Sequence, residues 1–166
     1  MPARLNFALI TATLISAGCA QESAPEAPAE APTEMAAPAA APAAPAVMRS
    51  SAPAGAEAYI IEPADGATVT SPVTVAFGLR GIGVAPAGID LPNTGHHHLL
   101  IDTELANSDS PIPANDQHVH FGLGQTETTI DLPPGRHELR LVLGDHMHIP
   151  HDPPVTSDVV TINVSP

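Results

Sequence analysis

The chain has 166 residues, a formal net charge of −13 and only five basic side chains, all of them arginine. A nucleic-acid backbone needs clustered cations to neutralise its phosphates, so nucleic acid is excluded as a partner. The length fits one domain with accessory segments, and a single cysteine leaves no intrachain disulfide to stabilise it.

Residues 1–19 read as an export signal. Arg4 gives a positive start, residues 5–15 form an apolar run too short to span a membrane, and Ser16, Ala17 and Gly18 are small. Small residues directly before Cys19 resemble a bacterial lipobox, with Ser16 where a leucine is usual. That resemblance implies lipidation of Cys19, a membrane anchor and a periplasmic or cell-envelope location. With Cys19 acylated the rest of the chain holds no thiol, which removes every thiolate metal site.

Residues 20–56 are expected to form a disordered tether, because Ala, Pro and Glu bury too little apolar surface to offset the entropy of ordering. In polyproline II at ~3.1 Å per residue such a tether reaches about 110 Å. The domain occupies residues 57–166. Residues 59–61 open a strand and residues 62–66 make a turn. Val73, Val75, Phe77 and Leu79 then alternate with Thr74, Ala76 and Gly78, the period of two of a strand with one buried face. Residues 99–101, 118–123, 128–132, 137–143 and 159–164 supply further strands, and residues 81–93 and 102–117 long loops. Short strands punctuated by Gly, Pro and Asp predict an all-β fold, an immunoglobulin-like antiparallel β-sandwich.

Eight of the nine histidines fall in three short groups, at 96–98, at 118 and 120, and at 146, 148 and 151. On a strand, residues i and i+2 face the same side about 6.5–7 Å apart, so an H-x-H pair aims two imidazoles at one point. Three such pairs occur, and His96, His98, His118, His120, His146, His148 and His151 are the candidate metal ligands. Imidazole suits copper and zinc, and copper(II) binds the same ligands more tightly, so copper is expected first and zinc second. Asp145 and Asp152 are candidates to accept a bond from the second ring nitrogen of a ligand histidine. Calcium is disfavoured, since the carboxylates are too scattered for an oxygen cage. Met147, out of phase with its histidine neighbours, is read as packing, and His137, in phase with Leu139 and Leu141, as structural. Parity sets His97 opposite His96 and His98, but Leu99, Leu100 and Ile101 are all apolar, so the buried face stays undecided.

Residues 93–102 (Asn-Thr-Gly-His-His-His-Leu-Leu-Ile-Asp), the run from His120 to Glu127 and the string from Leu141 to Pro154 resemble a bacterial domain family of unknown function. Its members are secreted or periplasmic and rich in histidine, so the resemblance implies one domain and no particular reaction. Residues 117–122 (Gln-His-Val-His-Phe-Gly) are similar to the copper-ligand strand of copper/zinc superoxide dismutases. The chain departs from that family in lacking its cysteine pair, in the residues before His118 and in the spacing to the other histidines. The reading is therefore a tethered envelope module that binds metal, exchanging it with an envelope donor or acceptor protein. A metalloenzyme with an open coordination position is the alternative, with Glu127, Asp145 or Asp152 as acid or base. A structural or adhesion sandwich is the third. No nucleophile elbow supports serine or cysteine chemistry.

Overall fold

Period-two patterning is carried through into two sheets. The computed structural model describes residues 47–166; the signal segment with Cys19, and residues 20–46 of the expected tether, lie outside the described residues. Nine strands follow in order: β1 (Glu57–Glu62), β2 (Thr68–Thr70), β3 (Val73–Arg80), β4 (Gly83–Val84), β5 (Thr94–Ile101), β6 (His118–His120), β7 (Glu127–Ile130), β8 (Gly135–Gly144) and β9 (Val160–Ser165). Among the described residues there is no helix, and the chain is all-β.

The smaller sheet has the order β1-β3-β7 and the larger β2-β9-β8-β5-β4, with β6 also paired to β5. One core lies between them. Val73, Val75 and Phe77 of β3 meet Leu99 and Ile101 of β5, Leu139, Leu141 and Leu143 of β8, and Ile162 and Val164 of β9. Most pairs are antiparallel, but β2 runs parallel to β9 and β4 parallel to β5, against the expectation of a wholly antiparallel sandwich. No hairpin joins either pair, and without a tight turn nothing forces a short strand to run antiparallel.

Strand β5 is buried on both faces, which is why its parity could not be read from apolar character. Leu99 and Ile101 enter the main core, and His97 packs beside Phe77 with ring centres 4.7 Å apart. On the opposite, outer face Leu100 joins Val142 and Ile112 in a second small core, with Leu105 beside it. That face is covered by two loops tied together, since the Ile112 N–H donates to the His148 carbonyl at 2.8 Å.

Residues 47–56, read from composition as the end of the tether, lie along the loop that follows β8. The Asp152 N–H donates to the Ser50 carbonyl at 2.9 Å, and the Ala52 N–H to the Asp152 carbonyl at 2.8 Å. Arg49 donates to the carbonyls of Pro150, at 3.0 Å, and of His151. It also lies 3.5 Å from Asp152 and 3.7 Å from Asp109. A low-complexity composition hides this clamp because its work is done by one arginine and by backbone groups. Arg49→Ala leaves two loop carbonyls without their charged donor, and should lower stability by about 1–3 kcal/mol. Urea unfolding of the variant checks this; an unchanged midpoint would show that the clamp contributes nothing.

Candidate metal centre

The outer face of β5 carries His96 and His98. β6 pairs with β5 so that His120 stands directly opposite His98. A fourth ring comes from the loop after β8, where Gly144 lies opposite His96. Asp145 folds that loop: its Oδ1 accepts from the N–H groups of Met147 at 2.8 Å and Ile149 at 3.0 Å, and its Oδ2 from the Ser50 hydroxyl at 2.9 Å. The His148 N–H closes the turn on the Asp145 carbonyl at 2.9 Å, with His148 itself at a φ of 68°. Few non-glycine residues adopt that left-handed conformation without a surrounding structure that imposes it.

The four rings form a compact group. Ring centres of His96 lie 5.0 Å from those of His98 and His120 and 4.9 Å from that of His148. His98 and His120 are 5.0 Å apart, His120 and His148 4.8 Å, and His98 and His148 6.0 Å. A metal held ~2.0–2.1 Å from an imidazole nitrogen sits ~3.2 Å from the ring centre, so four tetrahedral ligands would have ring centres about 5.2 Å apart. The observed spacings bracket that value. His96, His98 and His120 each offer a ring nitrogen within 4.8 Å of the others'. The Nε2 atoms of His96 and His98 are 3.1 Å apart, close to the ~3.3 Å between two nitrogens on one tetrahedral ion.

Electrostatics favour the neutral form of His96, His98 and His120. Burial, reinforced by the neighbouring His148 and His120, lowers His96 from 6.5 to about 4, although Asp145 pulls the other way. Burial and the surrounding histidines take His98 to about 2, and His120 is lowered by burial and by His148. A neutral imidazole is the form that binds a metal. Among the described residues, Nδ1 of His96, Nδ1 of His98 and Nε2 of His120 are buried without a hydrogen-bond partner, and each such atom costs about 1–3 kcal/mol.

Two glycines make the room. A Cβ at Gly122 would lie 2.8 Å from His120 Nε2, and one at Gly144 would lie 3.0 Å from His98 Nε2 and 3.3 Å from the Cα of His148. No motif pointed to them, because the need for a missing side chain shows only once the rings are in place.

The remaining histidines have other partners. His118 bonds through Nδ1 to Asn115 Oδ1 at 3.0 Å. His146 lies 3.6 Å from Asp90, because the Asp145 turn breaks the strand parity that would have paired it with His148. Buried His151 lies between the carbonyls of Thr94, at 3.2 Å, and Leu143, at 3.4 Å, and stitches β5 to the end of β8. His97 faces the core, with Nδ1 on the Gln125 carbonyl at 3.2 Å, and burial lowers it to about 4. His137 is structural: its ring spans Asp102 at 2.7 Å and the Pro133 carbonyl at 2.9 Å, and the bond to Asp102 raises its pKa. Met147 is exposed. Neither candidate outer carboxylate takes a bond from a cluster ring: Asp145 is used by backbone and Ser50, and Asp152 lies against Arg49.

A family profile described as Domain of unknown function (DUF4399) matches residues 75–165, more than half of the chain and all four rings of the cluster. No curated protein and no solved structure matches the chain.

Without metal, the lowered histidines set the sign of the acid response. Their folded pKa values lie below the unfolded 6.5, so below that value the unfolded chain binds more protons and stability falls. The loss runs from about pH 6.5 down through the folded values near 4 for His96 and His97 and toward 2 for His98. His137, raised by Asp102, has the opposite sign: its contribution is complete below 6.5 and fades as pH rises through its folded pKa. Urea midpoints of the metal-free chain should fall steadily from pH 7 to pH 4, and less steeply in His98→Ala. A flat profile would contradict the burial of neutral imidazoles.

Proposed function

The chain belongs to the family described as Domain of unknown function (DUF4399), a membership that brings no reaction with it, and from the site itself we propose that the domain binds a transition-metal ion through His96, His98, His120 and His148. The role is capture, buffering or delivery of that ion in the cell envelope. One observation carries the reading: imidazoles from three separate stretches of chain converge at metal-ligand spacing, and three of them offer ring nitrogens within 4.8 Å of one another.

An all-imidazole set favours copper, with zinc second, by the usual order of affinities for nitrogen ligands. Four protein ligands saturate a tetrahedral ion and leave no position for a substrate, which suits holding and passing on the ion better than catalysis. The export signal read in residues 1–19, with its lipobox-like Cys19, supports the envelope location and a lipid anchor. One feature favours a metalloenzyme as the second reading: the ring nitrogens within 4.8 Å of one another come from His96, His98 and His120, and His148 is not among them. Three ligands from His96, His98 and His120 would leave the fourth position to water.

Titration of the metal-free chain with copper(II), copper(I) and zinc(II) tests both readings. The expected result is one ion per chain, with affinity falling more than about 100-fold in His96→Ala/His98→Ala, beyond the roughly 10–100-fold that losing an outer-shell partner costs. A comparable loss in His148→Ala supports the four-ligand site. Undiminished binding in His148→Ala, with exchangeable water on the ion, supports the enzyme. Binding unaffected by the double substitution would sink both.

A further inference from the structure

We infer that the open cleft along β6 is the route by which the ion reaches the cluster, with His118 as an outer ligand that takes it up and hands it to His120. This rests on the metal-binding reading above and adds a second coordination site outside the first. The cleft has a volume of about 500 Å³, and its walls include His118, His120, Asn115, Asp116 and Asp131. His120 belongs to both places: it is half-buried, lines the cleft, and offers one of the three convergent nitrogens. His96 and His98 are fully buried, so an incoming ion meets His120 before either of them.

The contact with Asn115 orients the His118 ring and selects between its two tautomers. Asn115 Oδ1 accepts from the Gln117 backbone N–H at 2.9 Å. A backbone N–H can only donate, so the Asn115 atom is the carbonyl oxygen and not the amide nitrogen. The same oxygen lies 3.0 Å from His118 Nδ1, so of the two neutral tautomers the contact selects the one with the proton on Nδ1 and the lone pair on Nε2. A ligand histidine whose other nitrogen donates to a fixed oxygen is the usual arrangement at a metal, yet His118 is not one of the convergent rings. The backbone of Asn115 and His118 bonds reciprocally at 3.0 and 3.2 Å, which fixes the turn that presents the pair.

Spacing and charge complete the route. His118 and His120 are two residues apart on β6, so their side chains leave the same side of the strand from Cα atoms about 6.5–7 Å apart, although the His118 ring turns to Asn115. Asp116 and Asp131 are exposed on the cleft wall, and carboxylates around a concave opening raise the local concentration of cations and their rate of arrival. The transfer is a ligand exchange: His118 Nε2 leaves the ion as a ring nitrogen of His120 joins it, and no electron or proton need move.

A relay that only speeds passage slows capture and release equally when removed, leaving equilibrium affinity in place. Stopped-flow mixing of the full chain with copper(II) in a weakly coordinating buffer reads this directly. His118→Ala should slow both association and chelator-driven release by about 10-fold, the lower end of what guided association contributes, with affinity changed by less than about 2-fold. Asp116→Asn, which leaves β6 untouched, should lower the association rate and flatten its dependence on ionic strength. An unaltered rate in both variants, while His98→Ala abolishes binding, would overturn the route and leave the metal site standing. An affinity loss in His118→Ala as large as that in His98→Ala would also overturn it, making His118 a ligand of the held ion. Undiminished binding in His98→Ala would remove the cluster reading, and the route with it.

Discussion

His98 lies fully buried with its Nε2 3.1 Å from that of His96 and its Nδ1 facing no partner. His96 is held in the same way, and these two buried rings, with half-buried His120 beside them and His148 leaning in from the loop after β8, impose a desolvation cost that the rest of the domain must offset. A cation bound between the rings would accept one lone pair from each of them, taking the place of the Nε2 contact between His96 and His98. The pKa shifts express the same constraint: burial favours the uncharged ring, and each neighbouring histidine makes a second proton less welcome.

The architecture serves that constraint. The two sheets share one apolar core and leave the outer face of the larger sheet free to carry the rings. On that face β5 and β6 give a rigid base, so three of the four rings stand on paired strands whose spacing is fixed by backbone hydrogen bonds. The fourth stands on a turn organised by Asp145, which is gripped from outside by Ser50 and by the Arg49 clamp. Chain far upstream in sequence thus holds the loop that carries His148, coupling the ordering of residues 47–56 to the geometry of the centre.

Much of the fold could be read from the chain alone, because β3, β8 and β9 each have one face in the core and alternate accordingly. β2 and β4 escaped notice, having three and two residues and too little length for a period to show. β5 was visible as a strand, but apolar residues on both its faces hid which one met the core. Of the H-x-H pairs, 96/98 behaves as strand parity requires. The pair 118/120 divides because one ring turns to Asn115, and 146/148 divides because Asp145 replaces the strand with a turn. His151 is close to the others in sequence, yet its ring lies between the backbone carbonyls of Thr94 and Leu143 and not among the converging nitrogens. Side-chain competition for local acceptors is set by tertiary neighbours and leaves no trace in spacing.

Counting the imidazoles on a bound ion tests the central claim most directly. X-ray absorption of the copper-loaded full chain, read together with the same spectrum for His148→Ala, gives that number. Four nitrogen ligands at about 2.0 Å with the outer-ring scattering of four imidazoles, dropping to three in the variant, is the expected result. A shell dominated by oxygen with one imidazole or none, identical in both proteins, would mean that the buried histidines are not where the metal binds.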